Sequence, residues 1–213
     1  MCTRFHIELS DEVFRRIVEE SDNSPVLRKF RTSPLHYVRE GEVRPTDVVP
    51  VLAPDPSGRR RVYPMRFGYT FPGKSAPIVN ARVETAGEKP SFSRDYRSHR
   101  CIIPASWYYE WEHLRNSEGK IITGRKFLIQ PAGAKRTWLA GLYRIEDGLP
   151  RFVILTRQPS EAVRKIHDRM PLILPEERID DWINPSGNPE ELLPFAVTDL
   201  FFTPFQSDGL MVR

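Results

Sequence analysis

The sequence predicts an α+β fold: one domain over residues 1–213, with a curved, mostly antiparallel β-sheet as a barrel-like core and short helices on its flanks. Three observations support this prediction. Short apolar stretches alternate with turns that contain proline, glycine or polar residues. The 20 prolines are about twice the usual share, which disfavours a helical bundle. With 213 residues and 39% hydrophobic content, the chain can bury a sizeable core.

The first half of the chain is predicted to begin with a helix. Ser10 is expected to cap it, and it would run from Asp11 to about Glu20, because apolar side chains recur there at helical spacing. The elements predicted after it are a short helix at 26–30, strands at 48–52, 61–69 and 77–82, and a short helix that begins at Val83.

The second half is predicted to consist mainly of strands separated by polar or glycine-containing turns. Their predicted positions are 101–111, 126–130, 137–143, 151–157, 170–174 and 195–202. Two short helices interrupt them. One is capped by Ser160 and extends to Ile166, and the other covers 176–183 after Pro175.

Composition limits the classes of function. The chain has two cysteines, no signal peptide and no long apolar run, which predicts a reducing, cytoplasmic location away from membranes. No CxxC, HExxH or histidine-rich cluster occurs, so neither a metal site nor a cofactor is expected. A Cys2–Cys101 disulfide is the less favoured use of these two residues.

Basic residues are concentrated in one part of the chain. The net charge is only +4, yet no acidic residue lies between Asp55 and Glu84, where six basic and four aromatic residues occur. Such a mixture suits a nucleic-acid strand, with phosphates on the cations and bases on the rings. A solvated basic surface over a half-buried aromatic strand gives the same pattern, so both interpretations are open.

The second residue carries the most reactive chemistry in the sequence. If Met1 is removed, Cys2 has a free α-amine beside its thiol. An α-amine has a pKa of about 7.7–8.0, so it is partly unprotonated near neutrality and can condense with an aldehyde to a Schiff base. The thiol can then close a thiazolidine ring. Cys2 is equally an ordinary small residue after an initiator methionine, so its role depends on partners elsewhere.

Two segments could supply proton transfer. Strand alternation directs Glu110 away from Tyr109 and Trp111, and burial there would raise the pKa of its carboxyl, as a general acid or base requires. His167 lies where a short helix meets a strand and could also carry protons. A solvent-facing glutamate and a histidine bonded to backbone are the simpler interpretations of these two positions.

Asn80 and Arg82 are two residues apart and share one face of an extended strand. The amide of Asn80 could orient a reacting group, and the guanidinium of Arg82 could bind a phosphate. The simpler interpretation is that Asn80 bonds to a neighbouring loop.

These segments together resemble one family. The strings are Met-Cys-x-Arg-Phe at the start, Asn-Ala-Arg-Val-Glu-Thr-Ala from Asn80, Trp-Tyr-Tyr-Glu-Trp from Trp107 and Ile-His-Asp-Arg-x-Pro from Ile166. They occur in the order seen in the SOS-response-associated peptidase (SRAP) proteins, or abasic-site processing proteins. The resemblance extends from Cys2 to about Leu174, which is most of the chain.

The resemblance implies a DNA damage-response enzyme that removes its own Met1 and crosslinks to abasic sites in single-stranded DNA. Cys2 would be the nucleophile that forms the thiazolidine, and Asn80 would position its amine or the sugar. Glu110 and His167 would transfer protons. The residues implied to bind phosphates are Arg4, Arg82 and Thr156. The implied protein is a bacterial cytoplasmic monomer, associated with the nucleoid during DNA damage, without a cofactor, metal or membrane partner.

Three positions depart from the family's usual pattern: Thr3 replaces a glycine, Glu42 replaces an asparagine, and Lys74 lies where tryptophans are common. The alternative function is an N-terminal-nucleophile amidohydrolase, in which Cys2 attacks an amide with its own amine as the base. A DNA-binding module without catalysis is a third interpretation. A small amide substrate would not require the basic-aromatic stretch, and a simple binding module would not require Cys2.

Overall fold

The computed structural model describes residues 2–30 and 36–205. Within these ranges the helices are α1 (Glu12–Asp22), α2 (Pro25–Phe30), α3 (Val83–Ala86), α4 (Ser93–Ser98), α5 (Glu161–Arg164) and α6 (Ile179–Ile183), with 3₁₀ turns at Glu176–Arg178 and Pro189–Phe195. The strands are β1 (Arg4–Ile7), β2 (Gly41–Val43), β3 (Val48–Pro54), β4 (Arg60–Phe67), β5 (Asn80–Arg82), β6 (Arg100–Ala105), β7 (Trp107–Arg115), β8 (Ile121–Pro131), β9 (Thr137–Glu146), β10 (Leu149–Arg157), β11 (Met170–Pro171) and β12 (Leu200–Pro204).

Five strands pair in a ring and form the barrel-like core that the sequence predicts. β10 pairs with β4, β4 with β3, β3 with β6, β6 with β9, and β9 again with β10. All of these pairs are antiparallel except β10 with β4. β5 and β11 each pair with β10 and extend this sheet. The predicted α+β class, with a mostly antiparallel sheet and short flanking helices, is therefore confirmed.

A second, antiparallel sheet has the strand order β12-β8-β7-β1-β2. Its inward side chains, such as Phe5 and Tyr108, share one apolar cluster with Met65, Phe67 and Phe152 of the barrel. Strand alternation explains this packing, because residues two apart on a strand lie on the same face. The N-terminal strand is thus held against the barrel by a continuous core.

The chain passes from the barrel to the second sheet at Ser106. The sequence predicts one strand at 101–111, and this prediction is wrong: β6 ends at Ala105 and β7 begins at Trp107 in the other sheet. Ser106 is buried, and its three hydrogen bonds stabilise the bend between the two strands. Its N–H donates to His6 O (2.7 Å), its Oγ accepts from Glu8 N–H (2.9 Å), and its carbonyl accepts from Thr137 Oγ1 (3.0 Å).

The aromatic residues of the basic-aromatic stretch belong mainly to the core. Phe67 and Tyr69 have no exposed surface, and Phe67 stacks on Phe152 with ring centroids 4.9 Å apart. Their rings are therefore covered on the faces that a base would need. Phe67 and Tyr69 are therefore core residues, and the strand predicted at 61–69 ends at Phe67, with Tyr69 in an isolated bridge to Ile78.

The cap of α1 differs from the prediction. Asp11, not Ser10, is the N-cap, and its carboxylate accepts from the N–H groups of Val13 (2.8 Å) and Phe14 (3.3 Å). A carboxylate also suits the positive end of the helix dipole, which favours Asp11 over its neighbour.

Several short elements also differ. The predicted strand at 170–174 is reduced to β11, the helix at 176–183 begins as a 3₁₀ turn, and the last strand is β12 rather than 195–202. β1, β2 and α4 are not predicted from the sequence. They are too short for periodicity to reveal, and the contacts that hold them come from distant parts of the chain. None of the helices in the described ranges is both long enough and apolar enough to cross a membrane.

Replacing Ser106 with alanine tests the joint between the sheets. Ser106→Ala removes the acceptor for Glu8 N–H, so we expect the free energy of unfolding to fall by about 1 kcal/mol. Urea denaturation measures this change. Ser91→Ala, at an exposed serine, is the matched control and should lie within about 0.5 kcal/mol of the parent. Equal stability of the two variants would contradict the role given to Ser106.

Candidate active site around Cys2

Cys2 lies at the bottom of the site, just before β1. It has no exposed surface, and its Sγ is 3.9 Å from Arg4 O. Cys101 is also buried, and both cysteines are free thiols. Burial raises the pKa of the Cys2 thiol well above its usual range, and the nearby charge of Glu110 raises it further. The sulfur is therefore held as a thiol that needs a proton acceptor before it can attack.

Asn80 reaches Cys2 from the barrel. β5 runs parallel to β10, which places the Asn80 side chain over the start of the chain. Its Nδ2 donates to Cys2 O at 3.0 Å and to Ile154 O at 3.4 Å. Its Oδ1 is buried and accepts no hydrogen bond from the described residues. Asn80 thus fixes the backbone of Cys2 and keeps one amide acceptor beside it.

Glu110 enters the same site from the second sheet. Tyr108 and Glu110 point inward from β7, and Glu110 has only 2% of its surface exposed. Burial is the main cause that raises the pKa of the Glu110 carboxyl. A carboxyl with a raised pKa can exchange a proton close to neutral pH.

His167 lies directly after α5 and is also buried. Its Nε2 is 4.0 Å from Glu110 Oε1, and its Nδ1 accepts from Arg169 N–H at 3.0 Å. The Nε2 atom thus faces Glu110, whereas Nδ1 lies between the Arg169 N–H and the Asp168 carboxylate. Burial lowers the pKa of His167 to about 4. The carboxylate of Asp168, 2.8 Å from Nδ1, raises the pKa, but its effect is smaller than that of burial. Asp168 is largely exposed, so solvent screens its charge.

A bidentate ion pair connects two of the sequence strings that flank the site. Arg169 is buried, and its Nη1 and Nη2 donate to Glu84 Oε1 (2.8 Å) and Oε2 (2.7 Å). Nη2 also donates to Thr156 O at 2.7 Å. Glu84 follows the strand that carries Asn80, and Arg169 follows His167, so this pair holds the two sides of the site in register.

The three residues predicted to bind phosphate occupy different surroundings. Arg82 is exposed and pairs in register with Thr156 across β5 and β10. Thr156 has no exposed surface, and its hydroxyl donates to Ala81 O at 3.4 Å. Arg4 lies on the outer face of the second sheet, where its Nη1 is 2.7 Å from Glu42 Oε1. Their phosphate contacts stay predictions, and burial makes Thr156 the least accessible of the three.

The sequence interpretation missed Tyr108 and the Glu84–Arg169 pair. The pKa of Tyr108 is raised well above its usual range by burial and by the charges of Cys2 and Glu110, so its ring borders the site. Its hydroxyl is buried and has no hydrogen-bond partner among the described residues. Alternation could have identified Tyr108, because it is two residues from Glu110 on the same strand.

One group of described residues has ligand atoms close enough to consider a metal ion. His113, His167 and Asp168 each offer an atom within 4.8 Å of the others. His113 and Asp168 are exposed, and His167 Nδ1 already accepts from Arg169 N–H. This geometry alone does not assign an ion, so the absence of a metal site stays a prediction.

Comparison with known proteins identifies the family. The family model described as SOS response associated peptidase (SRAP) matches residues 1–210. This chain belongs to the SRAP family. The resemblance inferred from the sequence strings is thereby confirmed.

Its SRAP relatives include proteins whose names state a function. The chain is 33% identical over 215 residues to the abasic site processing protein YoaM of Bacillus subtilis. The aligned region covers 94% of this chain and 88% of YoaM. It is 34% identical over 200 residues to YobE of the same organism, also named an abasic site processing protein, with 84% of this chain and 88% of YobE covered.

Solved structures agree on the SRAP fold. A Bacteroides thetaiotaomicron protein superposes with a TM-score of 0.70 at 21% identity, covering 97% of this chain and 93% of that one. A phage-related protein of Bordetella bronchiseptica gives a TM-score of 0.68 at 21% identity, covering 97% and 95%. At this identity the likeness concerns the fold alone.

Acid should weaken this SRAP protein through His167. The folded pKa of about 4 lies below the usual 6.5, so the unfolded chain binds more protons between these values. The stabilising contribution is complete above pH 6.5 and is lost as the pH falls towards 4. We expect the Tm to drop over this window, and to drop less in His167→Gln. His36→Gln, at an exposed histidine, is the control. An equal drop in the parent and His167→Gln would contradict the assignment.

Proposed function

We propose that this protein attaches itself covalently to abasic sites in single-stranded DNA through Cys2, after Met1 has been removed. The observation that carries the proposal is the convergence of four groups from distant parts of the chain. Asn80 bonds to Cys2 O at 3.0 Å, the charge of Glu110 acts on the Cys2 thiol, and His167 lies 4.0 Å from Glu110. The names of the relatives YoaM and YobE support abasic-site processing as the general function.

The reaction begins at the α-amine that Met1 removal exposes. The amine nitrogen attacks the aldehyde carbon of the ring-opened abasic sugar and gives a carbinolamine. Glu110, in its protonated form, donates a proton to the departing hydroxyl, so that water leaves and the protonated imine forms beside the Glu110 carboxylate. Asn80 keeps the amine in place, since its Nδ2 holds Cys2 O and its Oδ1 can accept an amine N–H.

The thiol completes the ring. Cys2 Sγ adds to the carbon of the protonated imine while the thiol proton passes to the carboxylate of Glu110, so the nitrogen becomes a neutral secondary amine and Glu110 regains the proton that it gave up. One water is released overall, and no bond of the DNA backbone has to break. His167 lies behind Glu110 and exchanges protons with it, with His113 and Asp168 as its neighbours near solvent. The buried site protects the imine from hydrolysis.

Single-stranded DNA suits the position of the thiol. Cys2 has no exposed surface, so the sugar must enter the protein rather than meet the thiol at its surface. An unpaired strand can turn a sugar inward without first breaking base pairs. Among the predicted phosphate ligands on the barrel side, Arg82 is the exposed one, two residues from Asn80. We further propose that the chain acts as a monomeric domain over 1–213, at the bacterial nucleoid during DNA damage, without cofactor or metal.

Incubation with a single-stranded oligonucleotide that carries one abasic site tests this function. A protein–DNA adduct that survives denaturing electrophoresis is expected, and an oligonucleotide with an intact base at the same position is the control. Hydrolysis of an added amide substrate without an adduct would favour the amidohydrolase. Reversible binding alone would favour a simple DNA-binding module. Either result would contradict the proposal.

Crosslinking should require the removal of Met1. A peptide bond to Met1 delocalises the lone pair of the Cys2 nitrogen, which then cannot form a Schiff base. We therefore expect the adduct yield to follow the fraction of protein that lacks Met1, measured by intact-mass spectrometry. A variant extended ahead of Cys2 by a residue that resists removal should give no stable adduct. A full yield from the extended variant would contradict the aminothiol chemistry.

Replacing Glu110 with glutamine should slow crosslinking. Glutamine keeps the shape of the side chain but carries no transferable proton, so we expect the single-turnover rate to fall about 10²-fold or more. The Tm should change little, because the substitution also removes a buried ionisable group. Glu112→Gln, two residues along the same strand, is the matched control. A normal rate in Glu110→Gln would assign proton transfer to His167 instead.

A further inference from the structure

Three cations converge on a single carboxylate on the outer face of the second sheet. Arg4 Nη1 is 2.7 Å from Glu42 Oε1, and Lys126 Nζ is 2.9 Å from Glu42 Oε2. Arg44 Nε is 3.4 Å from Glu42 Oε1. These residues come from β1, β8 and the end of β2, so the sheet itself brings the charges together.

Aromatic rings support two of these cations. Lys126 Nζ lies 3.7 Å from the centroid of the Tyr109 ring, and the Arg4 guanidinium lies 5.4 Å from that of Trp111. Cation–π contacts of this kind hold the charged groups against the sheet. The side chains of Lys126 and Glu42 are only 17% and 21% exposed, so both charges have lost part of their hydration.

Cations contact both oxygens of Glu42, Arg4 and Arg44 at Oε1 and Lys126 at Oε2, and the two free oxygens of a phosphodiester could take the same partners. Hydrogen bonds from Lys126 and Arg4 outweigh the effect of burial and lower the pKa of Glu42, so the carboxylate is charged at neutral pH. Without that charge, Lys126 and Arg4 would lie partly desolvated and uncompensated, which favours binding of another anion.

The site is close to Cys2. Arg4 is two residues from Cys2, a span of at most about 7 Å along an extended chain. A phosphate beside a sugar held at Cys2 can therefore reach this cluster.

We infer that Arg4, Arg44 and Lys126 form a phosphate site for single-stranded DNA, and that Glu42 occupies it as an internal counter-ion which keeps binding to undamaged strands weak. This inference rests on the proposed function, since it takes the DNA strand at Cys2 as the ligand. A strand must displace Glu42 from its cations, so the gain in binding is small unless a covalent bond at Cys2 retains the DNA. Glu42 is in this way a determinant of specificity rather than of the reaction.

Salt-dependent binding of an undamaged single-stranded oligonucleotide tests the inference. Fluorescence anisotropy across a KCl series gives both the affinity and its salt dependence. Glu42→Gln should bind about tenfold more tightly at low salt, and the slope of log K against log[salt] should steepen by about 0.7 for each phosphate gained. Glu112→Gln is the control for net charge, because Glu112 is similarly buried and pairs with a single arginine, Arg125.

A second substitution assigns the effect to the cluster. In the Glu42→Gln background, Lys126→Gln should remove most of the gained affinity for the oligonucleotide. In the parent, Lys126→Gln should change this affinity less than twofold, because Glu42 already neutralises Lys126. The inference is overturned if Glu42→Gln binds no more tightly than Glu112→Gln. It is also overturned if Lys126→Gln alone weakens binding strongly in the parent, a result that does not depend on how well Glu42→Gln folds.

The binding measurement tests the phosphate site separately from the crosslinking function. Undamaged DNA forms no adduct, so this measurement does not depend on Cys2 chemistry. A parent protein that gives no adduct with abasic DNA, while Glu42→Gln gains affinity, would retain the phosphate site and reject the crosslinking function. If the parent gives the adduct and Glu42→Gln binds with unchanged affinity, the crosslinking function is retained and the phosphate site is rejected.

Discussion

The hydrogen bond from Asn80 Nδ2 to Cys2 O connects the two sheets at the point where the chemistry is proposed. Asn80 belongs to the barrel through β5 and β10, whereas Cys2 leads into β1 of the second sheet. The nucleophile is thereby positioned by β5, which is itself held by its pairing with β10 in the ring of strands. Glu110 approaches from β7, the direct neighbour of β1, so its distance from Cys2 depends on the same sheet register.

Burial determines the electrostatics of this site. The same loss of hydration raises the pKa of the Cys2 thiol and the Glu110 carboxyl and lowers that of His167, so each group is driven towards its neutral form. Neutral groups can pass protons between them without creating an isolated charge in the interior. The charged residues around the site are paired: buried Arg169 with Glu84, and Arg4 on the outer face of the second sheet with Glu42.

Sequence reasoning was most successful where local pattern decides the structure. The alternation around Glu110 predicted that its side chain points away from Tyr109 and Trp111, and the spacing of Asn80 and Arg82 predicted their shared strand. It failed where tertiary contacts decide: the 101–111 strand divides at Ser106 because His6, Glu8 and Thr137 hold a bend there. The bonds between Asn80 and Cys2, or between Glu84 and Arg169, join residues about 80 apart in the sequence, which no local pattern can reveal.

The most direct test of the account is to locate the covalent bond in the adduct. The adduct with abasic single-stranded DNA would be digested with nuclease and protease, and the modified peptide would be identified by mass spectrometry. The account predicts a peptide that begins at Cys2, lacks Met1, carries the sugar remnant with the loss of one water, and has neither a free α-amine nor a free thiol. A sugar attached to a lysine, or to the Cys2 thiol with Met1 still present, would contradict it.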